Sequence, residues 1–79
     1  MSFVLLGTEG CHLCEEMEQE ITVLETKLNF KTEVITINND SHLETLYGEK
    51  VPVLTCANEI VCMYVLDEHA LTLAIKQNS

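Results

Sequence analysis

Cys11 and Cys14 stand three positions apart in the stretch GTEGCHLCEEME, residues 7 to 18. Two cysteines at this spacing ligate a metal, crosslink the chain permanently, or open and close as a reversible disulfide. The chemistry depends on what holds them. If Cys11 opens a helix, its sulfur lies beside unpaired backbone N–H groups and the positive end of the helix dipole, which favour the nucleophilic thiolate. Cys14 then lies one turn further in on the same side, with Cβ atoms about 5–6 Å apart, so that small rotations close a disulfide without refolding. In this arrangement Cys11 is the exposed attacker and Cys14 the shielded thiol that resolves a mixed disulfide. His12, when protonated, would favour the thiolate, whereas Glu9, Glu15 and Glu16 oppose it, a balance that suits a reductant. The plainer reading of His12 itself, a solvent-facing turn residue, is the favoured one.

The elements that must position this pair are legible around it. Phe3 to Leu6 is a short apolar run closed by Gly7, the pattern of a buried strand, and GTEG is the turn out of it. From Cys11 to about Leu28 apolar residues recur at Leu13, Met17, Ile21, Leu24 and Leu28 with acidic residues between them, which predicts an amphipathic helix capped by Thr8 or Gly10. Glu33 to Ile37 reads as a second strand. Ser41 and Glu44 form a capping-box pattern opening a helix of one or two turns, stopped at Gly48. VPVLTC and EIVCMYV read as a hairpin about Ala57-Asn58-Glu59, and Asp67 caps a last helix through Ile75. The order is β-α-β-α-β-β-α over a single domain, residues 1–79. A long helix between two strands implies a right-handed crossover and parallel pairing, and the hairpin adds antiparallel strands. The expected fold is α/β, a four-stranded mixed sheet flanked by helices, with the loop after the first strand at the edge where such sheets carry their sites.

Composition narrows the function classes. Apolar residues form 47% of the 79 positions, with one Pro and three Gly, as in a packed globular unit. Thirteen acidic residues against four basic ones give a net charge of -9, and Lys27, Lys31, Lys50 and Lys76 are scattered, so a phosphate backbone would be repelled. The apolar start lacks a basic leader and is far too short to span a bilayer, so a cytoplasmic, monomeric protein is expected, bound neither to nucleic acid nor to membrane. In a reducing compartment a cysteine set is more readily a metal or catalytic group than a disulfide framework. Zinc would need Cys11, Cys14, Cys56 and Cys62 together, but five residues separate the last two, on strands rather than in a knuckle loop, so no metal site is expected. Cys56 and Cys62 read as strand packing; with a three-residue hairpin loop they would face each other as a second pair.

The combination of an apolar strand, GCHLC and YGEKVPVL, followed by a further strand and a helix, resembles the glutaredoxin-like branch of the thioredoxin superfamily over nearly the whole chain. The resemblance implies the thioredoxin-like, glutaredoxin-type fold and a thiol-disulfide oxidoreductase, an electron carrier in cell redox homeostasis acting through a redox-active disulfide of Cys11 and Cys14. It also implies a cis proline at Pro52 beside the cysteines, with Val51 free to pair with an extended substrate segment, so Gly10, His12, Val51 and Pro52 are the expected substrate-binding residues. Glutaredoxins proper carry a basic residue before the first cysteine and a Gly-Gly before an acidic residue near the last helix, serving glutathione. Here those places hold Glu9-Gly10 and Val65-Leu66 ahead of Asp67. The expected partners are therefore protein disulfides and a recharging reductase, with no resident cofactor. A glutathione-dependent glutaredoxin, a zinc or cluster module, and an adaptor with idle cysteines remain the alternatives.

Overall fold

The computed structural model describes residues 2–57 and 59–77. Its elements run β1 (Ser2–Gly7), α1 (His12–Leu28), β2 (Lys31–Thr36), a 3-10 turn (Ile37–Asn39), α2 (Ser41–Tyr47), β3 (Val53–Cys56), β4 (Glu59–Met63) and α3 (Glu68–Gln77). The strands form one sheet in the order β2-β1-β3-β4. β1 runs parallel to β2 in the register Ser2 with Lys31, and antiparallel to β3 with Leu6 opposite Val53. β3 and β4 are antiparallel. This is the expected four-stranded mixed sheet, with α1 as the crossover that a parallel pair requires.

Alternation along β1 divides the core in two. Phe3 and Leu5 point to one face, where Met17, Ile21 and Leu24 of α1 and Leu71 of α3 bury them together with Leu54. Phe3 meets Phe30 edge-on with ring centroids 5.1 Å apart, a geometry that suits the aromatic quadrupoles. Leu6 points to the other face, where Ile37, Val53 and the α2 residues Leu43 and Tyr47 cover it. A sheet buried on both faces explains why β1 reads as an unbroken apolar run and why every residue of β3 is buried.

Several boundaries differ from the sequence expectation, each for a local reason. β2 begins at Lys31 rather than Glu33, because Asn29 adopts a left-handed conformation (φ 57°) that ends α1 and turns the chain straight back. Asn tolerates this conformation better than most residues. Ile37 lies in the 3-10 turn rather than the strand and is wholly buried. α2 is capped by Asp40 rather than Ser41: the Asp40 Oδ1 accepts from the N–H groups of His42 and Leu43 at 3.0 and 3.1 Å. Gly48 does end α2, in right-handed conformation, where a Cβ would approach the Glu44 carbonyl oxygen to 2.5 Å. Asp67 caps α3 as expected, accepting the Ala70 N–H at 3.1 Å.

The hairpin is tighter than a three-residue loop. Cys56 pairs with Glu59 and Cys62 with Leu54, with a register shift at Leu54/Thr55, so the two cysteines do not face each other. Of the expected loop residues, Asn58 lies outside the described residues, and Ala57 takes a positive φ of 53°.

Candidate active site

β1 delivers the chain to the site. Gly7 is its last residue, and a Cβ there would stand 3.2 Å from both the Cβ and Sγ of Cys14. The absent side chain is what lets α1 seat Cys14 on the strand. Thr8, Glu9 and Gly10 then make a turn in which Gly10 has a φ of 73°, a conformation costly to residues with a Cβ. The Cys11 N–H reaches back to the Thr8 carbonyl at 3.4 Å. The turn is tied from across the fold, since the Glu9 N–H donates to Asn38 Oδ1 at 2.8 Å.

Cys11 is itself the N-cap of α1, with extended backbone (φ -85°, ψ 110°), and its sulfur accepts the Cys14 N–H at 3.1 Å. The expected caps, Thr8 and Gly10, lie three positions and one position too early: the turn through Gly10 leaves Cys11 as the last residue before the helix. A sulfur in the cap position receives an N–H bond and the helix dipole together, and both favour its thiolate. Cys11 is half-buried, whereas Cys14 is 8% exposed. The two are joined as a disulfide with their Cα atoms 5.2 Å apart, inside the usual range for such bonds. Cys14 takes the inward position that apolar spacing assigned to Leu13, and Leu13 is 43% exposed instead. Reading Cys14 as apolar moves the buried stripe to Cys14, Met17, Ile21 and Leu24.

His12 is 83% exposed and its Nε2 lies 3.2 Å from Glu16 Oε1, one turn along the helix, an ion pair whenever the imidazole is protonated. The carboxylates of Glu9, Glu15 and Glu16 are exposed around the pair. The Val51–Pro52 bond is cis. Since Val53 stands opposite Leu6, Pro52 comes next to the C-terminal end of β1, the sheet edge from which residues 7–10 lead to Cys11. Pro52 is buried and its carbonyl accepts the Tyr64 N–H at 2.9 Å; Val51 packs half-buried against the α2-side core. The fold thus gathers Gly10, Cys11, Cys14 and Pro52 at one edge, with His12 turned outward along the helix.

Three residues that shape this edge were not singled out from sequence. Gly7 closes the apolar run of β1, and a glycine at that point is also the signal for a close approach. Asn38 lies 29 positions from Glu9 and has no local signature. Tyr64, which the run EIVCMYV places in the fourth strand, instead sits beyond β4 with φ 69°, reaching Glu49 O through its hydroxyl at 3.4 Å as well as Pro52 O through its N–H. Cys62, half-buried, lies near the start of α3; burial pushes its thiol pKa up, the Asp67 backbone N–H counteracts this, and the Asp67 carboxylate adds to the rise. Among the described residues no group of three or more His, Cys, Asp or Glu side chains is placed to hold a metal ion, and no helix is long and apolar enough to cross a membrane.

A four-stranded mixed sheet with three helices and a Cys-x-x-Cys pair at the mouth of α1 defines a thioredoxin-like domain of the glutaredoxin type. The chain belongs to the Glutaredoxin-like domain (DUF836) family, whose model matches residues 2–76. It is similar to protein Ne2328 from Nitrosomonas europaea, solved by NMR, with 43% identity and a TM-score of 0.81 over 91% of this chain and 87% of that one. Thioredoxin 1 from Thermosipho africanus shares the fold at 16% identity and a TM-score of 0.65, covering 99% of this chain and 93% of its own. So does a buckwheat glutaredoxin in complex with glutathione, at 16% identity and a TM-score of 0.59, over 95% of this chain and 76% of that one. No curated protein matches the chain.

Proposed function

We propose that the protein is a thiol-disulfide oxidoreductase that reduces protein disulfides through Cys11 and Cys14. The observation that carries this reading is the asymmetry of the pair: Cys11 caps α1 with its sulfur on a backbone N–H, while Cys14, within disulfide reach, is buried one turn deeper. In the reduced protein the Cys11 thiolate attacks one sulfur of a target disulfide, the other target sulfur leaves as a thiolate and takes up a proton, and a mixed disulfide forms. Cys14, having lost its proton, attacks the Cys11 sulfur and expels the second target thiol. Two electrons pass to the target, and a reductase or an external dithiol must return them.

The acidic surroundings favour peptide targets over glutathione. Oxidised glutathione is anionic, and the exposed carboxylates of Glu9, Glu15 and Glu16 oppose its approach. Glutathione dependence is the second reading, supported by the shared fold with the buckwheat complex and by family likeness alone.

The reading is tested by steady-state reduction of a protein disulfide with dithiothreitol as electron source. The parent should turn over, and Cys11→Ser should fall to the rate of dithiothreitol alone. A Cys11→Ser protein as active as the parent would remove the reading.

A further inference from the structure

Away from the cysteine pair, a groove runs between α1 and the segment joining β4 to α3. Glu20, Val23, Leu24 and Lys27 form one wall, and Val65 to Glu68 form the other, around a volume of about 770 Å3. A smaller hollow of about 100 Å3, lined by Leu13, Met17 and Tyr64, shares Glu20, Val65 and Leu66 with it. The two therefore form one trough, which begins at Leu13, two positions along α1 from Cys11. Its apolar side chains are open to solvent: Val23 is 68% exposed and Val65 67%. Its rim is acidic, with Glu16, Glu20, Asp67 and Glu68, and Lys27 lies only at the far end.

We infer that this trough recognises the disulfide substrate itself, binding an extended segment in which apolar side chains alternate with Lys or Arg; the inference rests on the redox reading of Cys11 and Cys14. Charge selects the occupant. A second copy of this chain would bring its own net charge of -9 against the acidic rim, whereas a basic segment neutralises the rim while its apolar side chains cover Val23 and Val65. Length agrees with an extended peptide. The helix from Leu13 to Lys27 rises about 21 Å at about 1.5 Å per residue, which about six to seven extended residues span. A segment so held presents a neighbouring half-cystine to Cys11.

The test uses prereduced protein in single turnover against three peptide disulfides of about seven residues beyond the half-cystine, each capped with mercaptoethanol: alternating Lys and Leu, Glu in place of Lys, and Ser in place of Leu. The Lys/Leu peptide should react about tenfold faster than either relative, as expected if covering two exposed valines and neutralising the rim contribute to encounter and docking. In Val23→Ser/Val65→Ser the advantage over the Ser-containing peptide should shrink toward unity. In Glu20→Lys the advantage over the Glu-containing peptide should shrink instead. Both positions in the first variant are so exposed that folding should survive, which thermal unfolding checks.

Equal rates for all three peptides, with each of them and hydroxyethyl disulfide reduced, overturn the trough proposal and leave the redox reading standing. Reduction of none of them removes the redox reading; fluorescence anisotropy of a dye-labelled, cysteine-free Lys/Leu peptide then decides the trough alone, saturable binding lost in the valine variant upholding it and no binding overturning it. Dimerisation of the parent that the valine variant abolishes would assign the trough to a second copy and contradict the proposal.

Discussion

At the residue scale, the behaviour of the four cysteines follows from where each sulfur stands. Cys11 combines partial exposure with an N–H bond from Cys14 and the start of α1, so iodoacetamide at neutral pH should label Cys11 first in the reduced protein. Mass spectrometry that finds Cys14 or Cys56 modified first would contradict that order. Cys62 should need more alkaline solution than an ordinary thiol, because burial raises its pKa. The sign follows from linkage: a pKa raised in the folded state means the protonated thiol is preferred there. The stability it contributes is complete below the ordinary thiol range and is lost as pH climbs through the folded value. A pH series of Cys62 labelling that tracks a free model thiol would refute this. Gly7→Ala is the steric counterpart. Its Cβ would press on Cys14 at 3.2 Å, and urea unfolding should show a loss of about 1–3 kcal/mol, as for other overpacked interiors.

At the scale of the elements, the order and type of the four strands and three α-helices were readable, because each carries its own periodicity or cap, whereas the 3-10 turn at Ile37–Asn39 was not. What escaped depended on groups distant in sequence or on one competing local rule. Met17, Ile21 and Leu24 form the buried stripe of α1 as their spacing predicts, but its first position is Cys14 rather than Leu13, because a cysteine packs as a small apolar side chain. α2 had two adjacent capping candidates, and Asp40 prevailed over Ser41 because its carboxylate reaches two N–H groups at once. The position of the site was legible in residues 7 to 14, but the anchoring of its turn by Asn38 was not. The cap makes a quantitative expectation. Asp40→Ala should cost about 1 kcal/mol of stability, within the usual range for a lost N-cap, while reaction at Cys11 stays unchanged. An equal fall in the Cys11 reaction rate would show that α2 couples to the site.

At the scale of the whole molecule, a net charge of -9 with Glu9 and Glu15 exposed beside the cysteines should act on encounter. Exposed charges are screened beyond about 10 Å at 0.1 M salt, so the preference for basic partners should appear in the association rate and fade as salt rises. Glu9→Lys/Glu15→Lys should accelerate the reaction with oxidised glutathione at low salt, both by attracting the anion and by enlarging the thiolate fraction of Cys11. Titration of the thiol alongside the rate divides the two effects. An unchanged rate in the double variant would leave the acidic rim as a merely solvated surface and move glutathione dependence ahead.

The central claim is the division of labour between an attacking Cys11 and a resolving Cys14. Intact-mass analysis of the prereduced protein after a single turnover with hydroxyethyl disulfide tests it most directly. The parent should end as the internal disulfide without an adduct, Cys14→Ser should accumulate a mercaptoethanol adduct on Cys11, and Cys11→Ser should not react at a comparable rate. A stable adduct on the parent, or a Cys11→Ser protein that reacts as fast as the parent, would contradict the account.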